Sequence, residues 1–131
     1  MCMIDDGDPC EVSRSKMVVA RKSHICEECG RDIAIGERYR YAFLVCDGDA
    51  ISCHACAHCA VAQEWLTENC RGYCWSAVRE DLEEHINEYP DLAFGLSRLT
   101  TGMKRKWRAF SNDGLLRIPT QPRSIQSVVH L

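Results

Sequence analysis

The amino-acid sequence predicts an α+β fold, and three observations carry that prediction. Two Cys-x-x-Cys pairs, Cys26/Cys29 and Cys56/Cys59, flank a β-prone run broken by Asp47-Gly48. The second pair opens a stretch with helical spacing, and further helical periodicity follows it. The 131 residues allow one domain with a modest core, and 46% hydrophobic with 27% charged residues is the balance of a globular chain.

The first 16 residues, "MCMIDDGDPCEVSRSK", lack periodicity and read as a flexible acidic arm, 1–16. The module proper spans 17–75. It starts at "HICEECG", a tight turn in which Gly30 permits a positive φ and close approach of the chain. The run "RYRYAFLVC" (38–46) then meets "DAISC" (49–53) across Asp47-Gly48, a dipeptide suited to a two-residue hairpin loop. Pairing outward from that turn sets Val45 opposite Ala50, Leu44 opposite Ile51 and Ala42 opposite Cys53.

A helix fits roughly 55–70. A helical extension covers 76–110: Ser76 reads as an N-cap, Val78, Leu82, Ile86 and Tyr89 form a stripe, and Pro90 ends it. A third helix from Leu92 carries Leu96, Leu99, Met103 and Trp107 on one side, although Gly95, Gly102 and Thr100-Thr101 weaken it. Residues 111–131 read as a turn and extended tail, flexible or adding an edge strand.

Ten cysteines are the main anomaly. No apolar run approaches the ~18–20 residues of a membrane span, and no secretory pattern opens the chain, so the expected compartment is the cytoplasm. Clustered cysteines in a reducing compartment point to metal rather than disulfides. Two pairs supply the four sulfurs of a zinc tetrahedron, so one structural Zn²⁺ on Cys26, Cys29, Cys56 and Cys59 is the expectation. Cys53 is the competing ligand, because Cys53/Cys56 is also Cys-x-x-Cys. At ~100° per residue, Cys59, Leu66, Cys70, Ala62 and Cys56 share one helical side, while Cys53 falls about 120° away and ends a strand. That geometry favours Cys56/Cys59. Knuckle, hairpin, then Cys-x-x-Cys at a helix start match the treble-clef arrangement, extended here by two C-terminal helices.

Four thiolates on zinc carry a formal −2, which Arg21, Lys22 and Arg31 are placed to offset. Cys70 reads as a buried core thiol, with a second metal site on Cys70/Cys74 and His85 or His58 as the lesser reading. His24 and His54 flank ligands and are weaker substitutes for a cysteine. A thioredoxin-like redox site needs a single pair in a βαβ context, and two pairs suit metal better. An HNH-type nuclease needs a hairpin histidine, and "VCDGDAISC" has none, so that activity is a minor alternative and no enzyme is expected.

The stretches "RKSHICEECGRDIAIGERYRY", "DGD…CAHCAVAQEWL", "VREDLEEH" and "GMKRKWR…DGLLRIP" resemble small zinc-finger-like proteins of tailed bacteriophages and prophages, over about residues 20–119. The resemblance implies a treble clef, Cys56/Cys59 as ligands with Cys53 an addition, and a phage or prophage setting. It brings no catalytic residues.

Charge is uneven. Residues 60–97 hold two bases and eight acids (−6), and residues 98–131 hold seven bases and one acid (+6). The expected function is a zinc-stabilised protein that docks on a host or phage protein and modulates transcription, recombination or defence, with the acidic helix and basic end as contacts. The alternative is DNA or RNA binding through the basic 98–123 region: Arg98, Lys104, Arg105, Lys106, Trp107 and Arg108, with Arg117 and Arg123. Against it stands a plainer role for these residues, as cations at a helix C-terminus and a core tryptophan.

Overall fold

The Asp47–Gly48 turn organises the sheet. Both residues have positive φ, 50° and 86°, as a type I′ hairpin loop requires. It joins strands β4 (Arg38–Cys46) and β5 (Asp49–Cys56), which pair Val45 with Ala50, Leu44 with Ile51 and Ala42 with Cys53, as the sequence predicts. The computed structural model describes residues 10–70, 72–107 and 118–122.

Strand β1 (Cys10–Val19) adds antiparallel to the free side of β4, giving the sheet order β1-β4-β5. Residues 10–16, expected within the flexible arm, are therefore sheet; residues 1–9 lie outside the described part. Periodicity missed this strand because an edge strand is held by backbone pairing. Arg14, Lys16, Met17 and Val19 are all exposed, so burial does not alternate over residues 14–19.

A second, two-stranded sheet pairs β2 (His24–Ile25) with β3 (Asp32–Ile33) and closes the Cys26–Gly30 turn. Helix α1 (Ala57–Asn69) follows β5 directly, and α2 (Val78–Glu88), a 3₁₀ turn (Pro90–Leu92) and α3 (Ala93–Lys104) complete the order. The architecture is α+β, with three helices and small antiparallel sheets among the described residues.

The core lies where α1 meets the sheet and the later helices. Trp65 and Leu66 of α1 are fully buried with Val78 and Leu82 of α2 and Leu96 of α3, and Leu92, Leu99 and Met103 join them. Both predicted stripes thus face inward, with Ile86, Tyr89 and Trp107 half-buried at their ends. The glycines that weaken the third helix in sequence have a packing reason. A Cβ at Gly102 would collide with the Trp107 ring, and one at Gly95 with Pro122.

Helix α3 ends in a Schellman motif. Trp107 N–H bonds Gly102 O at 2.6 Å and Lys106 N–H bonds Met103 O at 3.1 Å, with Lys106 at φ 59° in the position that usually takes glycine. Ser76, predicted as the N-cap of α2, has φ 71° and sends its hydroxyl to Glu27 O at 3.3 Å, so Ala77 occupies the cap position. Residues 118–122 of the predicted tail belong to no helix or strand, and the remaining part of 111–131 lies outside the described residues. Among the described residues, no helix is long and apolar enough to cross a membrane.

Candidate metal centre

The sulfur atoms of Cys26, Cys29, Cys56 and Cys59 all lie within 4.8 Å of one another. Tetrahedral Zn–S bonds of about 2.3 Å need sulfurs about 3.8 Å apart, so small side-chain adjustments close the site on one ion. Cys26, Cys56 and Cys59 are buried and Cys29 is half-buried. The donor set fits a metal that four thiolates enclose.

Local structure explains the convergence. Gly30, at φ 82°, turns the chain so that its N–H reaches Cys26 O at 2.9 Å while Cys26 N–H bonds Arg31 O. This presents Cys26 and Cys29 on one side of the turn. Cys56 is the last residue of β5 and the N-cap of α1, and Cys59 sits one turn into the helix. The helix begins two residues later than predicted, yet the same pair points at the knuckle. Cys56 N–H donates to Cys26 Sγ at 3.3 Å, the kind of contact that spreads thiolate charge.

The electrostatics of the cluster would suit a cation. Four adjacent sulfurs share protons unequally: hydrogen bonds led by Cys26 hold the Cys56 thiol far below its ordinary range, and those led by Cys29 lower Cys26. The same crowding pushes Cys29 and Cys59 up, each with Cys26 as the first cause. A divalent ion removes that conflict by stabilising all four as thiolates.

Cys53 stands apart. It is buried on the opposite face of β5 with Ala42, Leu44 and Trp75, and burial pushes its thiol up to about 11. The hairpin register puts it there: residues 53 and 56 are three apart and so face opposite sides of the strand.

The knuckle is pinned on three sides. Glu27 N–H bonds His54 O at 2.7 Å, Gln63 of α1 donates to Glu28 at 2.9 Å, and Ser76 reaches Glu27 O. Burial pushes the Glu28 carboxyl up to about 7, against the pull of Gln63 and the Ser76 and Val78 amides. Arg31, expected to offset the cluster's charge, pairs instead with Glu37. Lys106 also approaches the knuckle: a methyl group at Gly30 would touch its Cε at 3.6 Å and approach Nζ at 3.9 Å.

Lys106 and Trp107 therefore turn toward the metal centre. Trp107 lies on Gly102 and tilts against His58, with ring centroids 4.9 Å apart. Arg98, Lys104, Arg105 and Lys106 are exposed, whereas Arg108, Arg117 and Arg123 lie outside the described residues. The residues of the predicted basic region are thus described only in part, with Trp107 half-buried among them.

His24 and His54 stack on each other at 4.2 Å beside the knuckle, and His54 Nδ1 lies 3.5 Å from Glu27. Desolvation, then His54 and Lys22, lower the His24 pKa. Cys70 departs from its predicted role as a buried thiol: it is half-buried and disulfide-bonded, as is Cys46. Its sulfur is 3.1 Å from Nε2 of the buried His85. A disulfide sulfur is no thiolate donor, and the four-cysteine cluster is the one metal-ligating group of its kind among the described residues.

The Lys106 contact and the buried Asp81–His85 pair escape sequence reading. The first depends on chain reversal after α3; for the second, i,i+4 spacing is the available signal. No family model, curated protein or solved structure matches the chain.

Proposed function

We propose that this chain is a zinc-stabilised binding module with a non-enzymatic role. The observation that carries the reading is the position of the four sulfurs, at the junction of the knuckle, the end of β5 and the start of α1. An ion there would tie these three elements together. Four thiolates leave zinc without an open position for water, which suits a structural site and not a hydrolytic one. Under this reading knuckle, hairpin and helix form a treble clef, and Zn²⁺ is the resident ion because soft thiolates in a tetrahedral set select it.

Binding then falls to the surfaces that the zinc-held frame presents. The acidic outer face of α2, with Glu80, Glu83, Glu84 and Glu88, is the part of that surface suited to a basic protein partner. The resemblance to phage proteins directs the search for such a partner to infected bacteria. Stripping zinc with a chelator tests the module directly. Far-UV circular dichroism should show loss of the β5–α1 region, with recovery on adding one equivalent of zinc. A chain that keeps its spectrum and melting temperature after metal removal contradicts the reading.

A further inference from the structure

Outside the metal centre, one face of the three-stranded sheet joins cations to aromatic rings. The strand register sets Lys16 of β1, Tyr41 of β4 and His54 of β5 side by side, and the neighbouring row holds Arg14, Phe43 and Ser52. Side chains directly opposite one another share a face, so each row crosses the sheet on its open side. The helical layer lies on the other side, where Ala42, Leu44, Cys53 and Ala55 are buried.

His24 extends this surface from the knuckle. It stacks on His54 with planes 17° apart, and Tyr39 and Tyr41 approach the same ring at 5.6 and 6.0 Å between centroids. The four rings thus form one cluster, in which Tyr39 is buried and Tyr41 meets His54 edge-on. It floors an open groove of about 940 Å³ whose wall carries Lys16, Arg21 and Lys22, all exposed. Among the described residues lining that groove there is no carboxylate. Glu27 is the acid at its rim, held against His54.

We propose that this groove binds single-stranded nucleic acid, with phosphates against Lys16, Arg21 and Lys22 and bases against Tyr41 and His54. Cations alone would suit any polyanion. The rings decide for bases, because every unpaired base offers a face to stack, whereas a duplex keeps its bases inside. The site is distinct from the basic 98–123 region, whose Trp107 is half-buried against Gly102 and His58. It rests on the reading of a zinc-held frame, since His24 and His54 each lie two residues from a sulfur ligand.

Fluorescence anisotropy on the full-length, zinc-loaded protein tests this, with labelled ~15-nucleotide oligo-dT and oligo-U, a duplex of equal length and a poly-glutamate peptide as probes. Both single strands share the recognised chemistry, and comparing the two arms assigns the sugar. The expected result is single-strand binding at least about tenfold tighter than duplex or peptide, with a log K against log salt slope near −2, about 0.7 for each of three phosphate contacts. Tyr41→Ala should weaken binding about tenfold while Tyr41→Phe retains it. Lys16→Glu with Lys22→Glu should reduce the slope to below 1 in magnitude.

Zinc content is measured on every sample. Zinc-bound protein that binds no oligonucleotide, binds duplex or peptide equally well, or is indifferent to these substitutions overturns the groove assignment alone. Folded protein without zinc overturns the frame on which the assignment rests.

Discussion

Replacing Cys53 and Cys59 separately with serine distinguishes strand cysteine from ligand. Cys53 is only 6% exposed and packs on Ala42, Leu44 and Trp75, away from the four sulfurs. A hydroxyl in that apolar setting costs about 1–3 kcal/mol, which for a chain of this length lowers the melting temperature by roughly 3–10 °C. The metal stays. Cys59 is fully buried within the four-sulfur cluster. Structural zinc in small modules contributes on the order of 10–16 kcal/mol of apparent binding energy, so even an equal fourth share is about 2.5–4 kcal/mol. That alone weakens zinc by about two to three orders of magnitude, and the lost metal removes stability comparable with the whole ~5–15 kcal/mol of a typical domain. Zinc per chain after dialysis against a competing chelator, followed by a thermal melt, reads both outcomes. Cys53→Ser should retain one zinc and a cooperative transition, and Cys59→Ser should retain neither. The converse pattern would refute the placement of the helix start and the ligand set together.

Three further outcomes follow from the same geometry. Gly102→Ala gains about 1 kcal/mol of helix propensity but drives a methyl group into the Trp107 ring, so a net loss of about 1 kcal/mol and a changed tryptophan emission are expected; a more stable variant would contradict the packing. Gln63→Leu removes the donor to the buried Glu28 carboxyl and should destabilise by about 1–3 kcal/mol in denaturant melts, against an unchanged midpoint if that bond is idle. Acidification should release zinc and unfold the chain in one step. The metal-free unfolded state binds up to four more protons at these sulfurs, so stability falls as pH falls, by up to about 5 kcal/mol per unit, and far-UV signal and zinc release should superimpose.

Much of this architecture is legible in the sequence because short-range rules govern it. The Asp47-Gly48 loop fixes the hairpin register, the register sends Cys53 and Cys56 to opposite faces, and helical spacing adds Cys59 to Cys56. What escapes has long-range causes. β1 is held by backbone bonds to β4 and shows no alternation of burial over residues 14–19. The approach of Lys106 to Gly30 and of Trp107 to Gly102 depends on a left-handed residue after α3, at a lysine where sequence statistics lead one to look for glycine. The basic run "KRKWR" looks uniform in sequence, yet the chain reversal directs Lys106 to the knuckle and Trp107 to Gly102. The ring cluster is also invisible without the register. Tyr41, His54 and Lys16 come from three strands, and His24 reaches them only because the knuckle folds beside β5.

X-ray absorption at the zinc K-edge of the purified chain tests the central claim most directly, since one spectrum reports both the ion and its ligand shell. The account predicts a zinc edge with a single shell of four sulfurs at about 2.3 Å. A shell containing nitrogen or oxygen donors, or a folded protein with no zinc edge, would contradict it.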